Sequence, residues 1–369
     1  MSWFAGQQVL LMTAMTPGSG YGQDGIALAA LLEESGAVVH LDASAVGVPL
    51  PLNVARMFAR PRPQHFDLVL QHADPGALRM PEHFADRVGR TVAWTMWEFP
   101  GFTDMEFEVD LAERLVGFDD VIGYTGLTTE SIAPYAPYAR RATMLGGYSA
   151  DAWKPKEDDP LRRWDGTFRF GMVITNARKN WPAAVEAFLT LREEHPDFDA
   201  ELHLKTNHLF VPPYMHDPEQ RIFLHHQSWS HAQMRSFYCG LNALVCPSYG
   251  EGKSLPPMEA GSLGCPSILS ACSGHTEWAT DDIAYLVPGQ LREGAPVVVG
   301  GFHVNIPALA ETMWSAYSDR AAARLKGEHA ARVIPPMLDW PGVVARLGYH
   351  LAAASARPRP LLVGVTSDT

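Results

Sequence analysis

The sequence predicts an α/β protein built from two Rossmann-like, doubly wound domains. Three observations carry this reading. Apolar runs of strand length alternate with helix-length stretches over residues 8–124, the pattern of a parallel sheet covered on both faces. The alternation restarts at residue 168, after the polar run 156–166. The chain's 369 residues also exceed what one ordinary core holds.

Taken in order, the first unit opens with a strand at 8–13, the turn Pro17-Gly18-Ser19-Gly20-Tyr21-Gly22, and a helical pattern over 24–34 closed by Gly36 as C-cap. A strand begins again at 38–41, so the segment reads strand, glycine turn, helix, strand, the opening of a doubly wound domain. Further strands are predicted at 66–71, 91–95 and 120–124. The second unit starts with strand 168–174, then Thr175-Asn176-Ala177-Arg178-Lys179-Asn180, a helix from Pro182 to about Glu194, and a strand at 201–205. Ser230, followed three residues later by Gln233, forms a capping box whose helix runs to Cys239. The apolar run 241–245 is a buried strand, Pro256-Pro257 opens a helix, and 268–270 resumes the sheet. Met337-Leu338-Asp339-Trp340 followed by Val343, Val344 and Leu347 reads as the last amphipathic helix, and residues 352–369 form a tail. The domains are thus 1–155 and 156–337, with a terminal helix and tail at 338–369.

Net charge is −12 and the first lysine is Lys154. The part before Lys154 has only arginines to meet phosphate, which argues against a broad nucleic-acid surface there. The first residues lack a basic segment followed by an apolar stretch, and no run reaches about eighteen apolar residues, so neither a signal peptide nor a membrane span is expected. Cys239, Cys246, Cys265 and Cys272 sit beside apolar residues with no C-x2-C pair. They read as buried free thiols, which fits a cytoplasmic protein.

The most informative segment is Pro247-Ser248-Tyr249-Gly250-Glu251-Gly252-Lys253-Ser254-Leu255-Pro256-Pro257-Met258-Glu259-Ala260. As strand, glycine-rich turn and helix, it aims backbone N–H groups and the positive helix end at one point, a place for an anion such as a diphosphate. Glu251 and Glu259, seven residues apart, are acceptors suited to the paired hydroxyls of a sugar or ribose tethered to that phosphate. Read blandly, the acids only stabilise a helix N-terminus, which leaves the rest of the run unexplained.

This segment resembles the Glu-x7-Glu motif of retaining GT-B glycosyltransferases of the family 4 type, P-S-x-x-E-G-F-G-L-P-x-L-E-A, with Lys253-Ser254 where the family usually has Phe-Gly. Ser273-Gly274-His275-Thr276-Glu277 resembles the family's G-G-x-x-E turn. The resemblance implies two domains facing a cleft, a terminal helix crossing back to the first domain, and transfer of a sugar from a nucleotide-diphosphate sugar to an acceptor hydroxyl with retention. It implies donor contacts from Gly20 and Gly22, from the backbone around Gly252, Lys253, Ser254 and Leu255, and from Glu259 to the ribose. Glu251 would contact the transferred sugar, and Lys179 with Arg178 would meet the phosphates. Here the two basic residues are adjacent, where the family separates them, and Arg178 is alternatively a solvated charge.

Relatives also place a His near the donor sugar after an N-terminal strand. The corresponding strand here ends Trp94-Thr95-Met96-Trp97-Glu98, which makes Trp97 and Glu98 acceptor-side candidates, and His72 is the candidate histidine. Trp94 and Trp97 are either sugar-stacking or core residues. The only D-x-D, Asp197-Phe198-Asp199, falls in a helix-to-strand turn, so neither a metal nor another cofactor is expected. The acceptor stays open among glycan, lipid, protein, small molecule and modified nucleic acid. Donor binding is expected to draw the domains together. A different class of reading is a noncatalytic nucleotide-sugar or glycan-binding module on this scaffold. A Rossmann oxidoreductase or epimerase is disfavoured because Gly18, Gly20 and Gly22 give no full G-x-G-x-x-G.

Overall fold

The computed structural model describes residues 2–16, 20–46, 50–78, 87–98, 111–160, 162–207, 212, 215–292 and 301–353. Six strands, β1 (Gln8–Met15), β2 (Val38–Val46), β3 (Phe66–His72), β4 (Val88–Thr95), β5 (Asp120–Gly123) and β6 (Arg140–Thr143), form one parallel sheet in the order β2-β1-β3-β4-β5-β6. Helices α1 (Gly20–Glu34), α2 (Leu52–Met57) and α3 (Gly126–Ile132) accompany it. Gly36 ends α1's turn at φ +95°, the left-handed conformation its reading as a C-cap requires. Helix α1 starts four residues before the sequence pattern at residue 24, because the glycine turn itself is helical from Gly20.

The second sheet contains β7 (Phe168–Ile174), β8 (Ala200–Thr206), β9 (Ile222–His226), β10 (Ala243–Cys246), β11 (Ser267–Ser270) and β12 (Ala284–Val287). All pair in parallel, in the order β12-β11-β10-β7-β8-β9. Between and beside them run α4 (Trp181–Glu194), α5 (His231–Gly240), α6 (Leu255–Ser262), α7 (Ser273–Thr276), α8 (Ile306–Ser318) and α9 (Arg320–Met337), and β13 (Gly289–Arg292) pairs with β14 (Gly301–Val304) as a small antiparallel ribbon. Both sheets are the doubly wound type expected from sequence, and their cores are separate. One core includes Leu11, Leu28, Leu70 and Trp94, and the other includes Phe168, Phe170, Phe188 and Leu202. Among the described residues, no helix is long and apolar enough to cross a membrane.

The last helix, α10 (Trp340–Ala352), buries Trp340, Val343, Val344, Leu347 and Leu351 in the first domain's core. The tail past residue 353 lies outside the described residues. Asp120, fully buried at the start of β5, ties this helix down. Its carboxylate accepts from Arg90 Nε at 2.8 Å, Arg140 Nη2 at 2.6 Å and His350 Nε2 at 3.0 Å. Arg90 also donates to the Leu351 carbonyl, and Arg140 to that of His350. Asp120→Ala therefore removes the buried carboxylate that Arg90, Arg140 and His350 share. It is expected to cost roughly 3–5 kcal/mol of stability, read as a lowered urea midpoint.

Candidate functional site

In an open parallel sheet, ligands bind outside the carboxyl ends of the strands where the strand order reverses. In the second sheet that point lies between β7 and β10, which are neighbours in space and far apart in sequence. The turn after β7 carries Arg178 and Lys179; the turn after β10 carries Glu251 to Ser254. In the first sheet the reversal lies between β1 and β3, whose following turns carry Gly20 and the segment after His72. The residues singled out from sequence thus gather at two switch points that face each other. Asp197 and Asp199 lie just before β8, at the opposite, amino edge of the second sheet.

Glu251 is the centre of the second-domain site and is only 2% exposed. Lys179 Nζ donates to its Oε1 at 2.6 Å, Ser248 Oγ donates to the same oxygen at 2.6 Å, and Arg178 Nη1 meets its Oε2 at 2.7 Å. Burial opposes its ionisation, but Arg178 and then Lys179 outweigh that and hold the carboxyl well below the usual carboxylate range. Arg178 is thus an ion-pairing residue and not a solvated charge. Its other arm reaches Glu98 of the first domain at 3.1 Å. Asn180 takes a left-handed conformation, φ 53°, and donates to the Pro247 carbonyl at 3.1 Å, which clips the two turns together.

The departures from the family pattern have local explanations. Ser254 stands at φ 67° and Ser273 at φ 42°, both where the motif has glycine, and a side chain there is strained. Each hydroxyl is bonded in compensation. Ser254 Oγ lies 3.0 Å from Nε2 of buried His275, and Ser273 Oγ accepts from the Glu251 N–H at 2.8 Å. Gly274 is indispensable for a different reason: a Cβ there would lie 2.2 Å from the Gly252 carbonyl oxygen. Pro256 and Pro257 bring no N–H to the start of α6, so the donors facing the cleft come from the turn before them.

Glu259 projects from α6 and accepts from the Tyr238 hydroxyl at 2.8 Å. Burial pushes its carboxyl up to about 7, with the Tyr238 bond pulling the other way. The charges of Lys179, Lys253 and Lys205, the last at the end of β8, also favour its ionised form.

On the first-domain side the outcome differs from expectation at several residues. Gly20 faces Leu255 across the interface, whereas Gly22 is glycine because a Cβ would lie 2.1 Å from the Thr16 carbonyl oxygen. His72 is fully buried, with Nδ1 3.0 Å from Thr13 Oγ1 and Nε2 2.6 Å from the Tyr124 hydroxyl. Both nitrogens are engaged, so His72 does not line the cleft. Trp94 is core, donating from Nε1 to the Met144 carbonyl. Trp97 and Glu98 are half-buried, the former fixed through its backbone to Thr128 and the latter on Arg178. Lys253 turns its side chain away from the second domain and into the first, where it meets Asp24. Sequence reading missed Asp24 and Tyr124, whose partners lie 229 and 100 residues away. It also missed the anchoring role of His275, although that residue lay inside a quoted motif.

Two outcomes follow. Gly274→Ala is expected to displace the Glu251 turn and weaken ligand binding while the far-ultraviolet spectrum stays native. Glu259 binds its proton more tightly folded than unfolded, so stability should fall as pH rises from its ordinary value of 4.5 to about 7. Glu259→Gln should remove that slope, measured as urea midpoints across the interval.

No family model matches the chain, and no curated protein does. Solved structures do match. Sucrose-phosphate synthase from Thermosynechococcus elongatus is 16% identical with a TM-score of 0.65, over 95% of this chain and 100% of that one. Anabaena HepE in complex with UDP-glucose is 13% identical with a TM-score of 0.67, over 94% and 100%. The α,α-trehalose 6-phosphate synthase from Burkholderia multivorans is 12% identical with a TM-score of 0.63, over 94% and 99%. Two doubly wound parallel sheets with opposed switch points, matched over nearly the whole chain, give this protein the GT-B fold of nucleotide-sugar glycosyltransferases.

Proposed function

We propose that this protein transfers a glycosyl group from a nucleotide-diphosphate sugar to an acceptor hydroxyl with retention of configuration. One observation supports this above the others: Arg178, Lys179, Glu251 and the glycine turn converge at the switch point of the second sheet, opposite the first domain's glycine turn. Arg178 and Lys179 take the diphosphate, exchanging part of their pairing with Glu98 and Glu251 for phosphate oxygens. Backbone N–H groups at Gly252 to Leu255 share that charge. Glu259, once ionised, accepts from the ribose hydroxyls, and Glu251 accepts from hydroxyls of the transferred sugar.

In the reaction the bond from the anomeric carbon to the diphosphate oxygen breaks, and the acceptor oxygen bonds to the same face. The acceptor proton passes to the departing phosphate. Fixed cations offset the charge that develops on the leaving group, which is the work a divalent metal does elsewhere. Trp97 and Glu98 stand on the acceptor side. HepE is seen with UDP-glucose, so a UDP-sugar is the first donor to test.

A noncatalytic binding module is the second reading, and it is favoured by Arg178 already being held by two carboxylates. Release of free nucleotide from a panel of nucleotide sugars separates the two, since a binding module releases none. Lys179→Ala and Glu259→Ala are each expected to lower turnover on the order of a hundredfold in folded protein. Normal donor kinetics in both would overturn the site. Activity should survive a chelator; complete loss restored by Mg²⁺ or Mn²⁺ would refute metal-independent transfer.

A further inference from the structure

Lys253 replaces an aromatic residue of the motif, and nothing in the transfer chemistry above uses its side chain. It is 4% exposed although its turn belongs to the second domain, because its ammonium is inserted into the first. Three protons meet three acceptors: Asp24 Oδ1 at 2.8 Å, Asp24 Oδ2 at 2.9 Å and the Gly147 carbonyl at 2.6 Å. The rings of Tyr124 and Trp340 flank it, their centroids 5.8 and 5.5 Å away. Trp340 in turn packs so closely on Gly147 that a Cβ there would lie 2.2 Å from its ring.

The network continues with every proton assigned. The Tyr124 hydroxyl donates to Asp24 Oδ2 at 2.7 Å, so it must accept from His72 Nε2–H at 2.6 Å. His72 Nδ1 is then bare and accepts from Thr13 Oγ1 at 3.0 Å. This order requires a neutral His72; burial, and then the Lys253 charge, push its pKa down to about 3.

We propose that Lys253 and Asp24 are positioning residues whose buried ion pair is a strut between the domains, fixing the turn that carries Glu251 so that the cleft stands closed before a donor arrives. Lys253 lies two residues from Glu251, and its own backbone is pinned by Trp278 Nε1 donating to its carbonyl at 3.1 Å. Between them Gly252 abuts the first domain, where a Cβ would fall 1.8 Å from Met96 Sδ. Asp24 sits one helical turn after Gly20 on α1. The pair therefore couples the two glycine turns directly, and it replaces the expectation that the donor draws the domains together. What the strut positions rests on the glycosyl-transfer reading; the strut itself does not.

Removing one partner strands the other as an uncompensated buried charge, whereas removing both does not. Small-angle scattering and donor kinetics test this on the full chain. The wild type should have the same radius of gyration with and without UDP. Lys253→Met should be expanded without nucleotide and raise KM for the UDP-sugar tenfold or more, with a smaller change in kcat. Lys253→Met combined with Asp24→Asn should regain stability lost in either single variant, since no buried charge is stranded, yet stay expanded with a raised KM, since no strut remains; a double variant as compact as wild type would overturn the strut. If Lys253→Met does not fold, Asp24→Asn gives the same test from the other side. Single variants as compact as wild type with unchanged KM, or a wild type that contracts on UDP, overturn the strut. If the wild type uses no nucleotide sugar, the transfer reading fails, and the scattering of the unliganded variants still decides the strut.

Discussion

A carboxylate buried at the carboxyl edge of a parallel sheet has to be kept charged by its neighbours, and the second-domain site is arranged around doing so for Glu251. Two cations, a serine hydroxyl and the fold of its own turn converge on it. Neither basic residue can shift without exposing a strong desolvation cost on the other side of the pair. This gives Arg178 and Lys179 fixed positions. In the proposed transfer, such a preset arrangement of charges stabilises the departing diphosphate better than side chains recruited from solvent would.

The same logic operates between the domains. Among the described residues, the interface includes charged groups with assigned partners: Lys253 on Asp24, Arg178 on Glu98, and Glu277 Oε1 accepting from the Gly126 N–H at 2.5 Å. Helix α10 adds a further connection. It leaves the second domain and is held in the first by Trp340 and by the cluster at Asp120. Trp340 also borders the site of Lys253, so the returning helix and the strut meet around Gly147.

The substitutions that set this chain apart from the motif it resembles occur together for physical reasons. A glycine-to-serine change at positive φ costs backbone strain, and a hydroxyl that finds a buried acceptor or donor offsets it. Ser254 finds His275 and Ser273 finds the Glu251 amide. Lys253 is tolerated in a buried place because the first domain supplies a carboxylate, a carbonyl and two aromatic faces. The turn keeps its shape with different side chains because each new polar group is satisfied.

Local pattern in the sequence determined the elements whose periodicity is strong: the apolar run at 168–174 is β7, and the capping box at Ser230 and Gln233 starts α5. It also determined the two basic residues and the paired acids of the second domain, since they sit in turns of a few residues. Short, partly exposed strands such as β6 and β9, and the alanine-rich α9 with its two prolines, carry too little pattern to be read that way. Tertiary structure alone decided the direction of Lys253, the burial of His72 and the pairing of Arg178 with Glu98. Each depends on a partner brought from another strand or the other domain, and side-chain direction at a buried site is fixed by which distant group satisfies its charge.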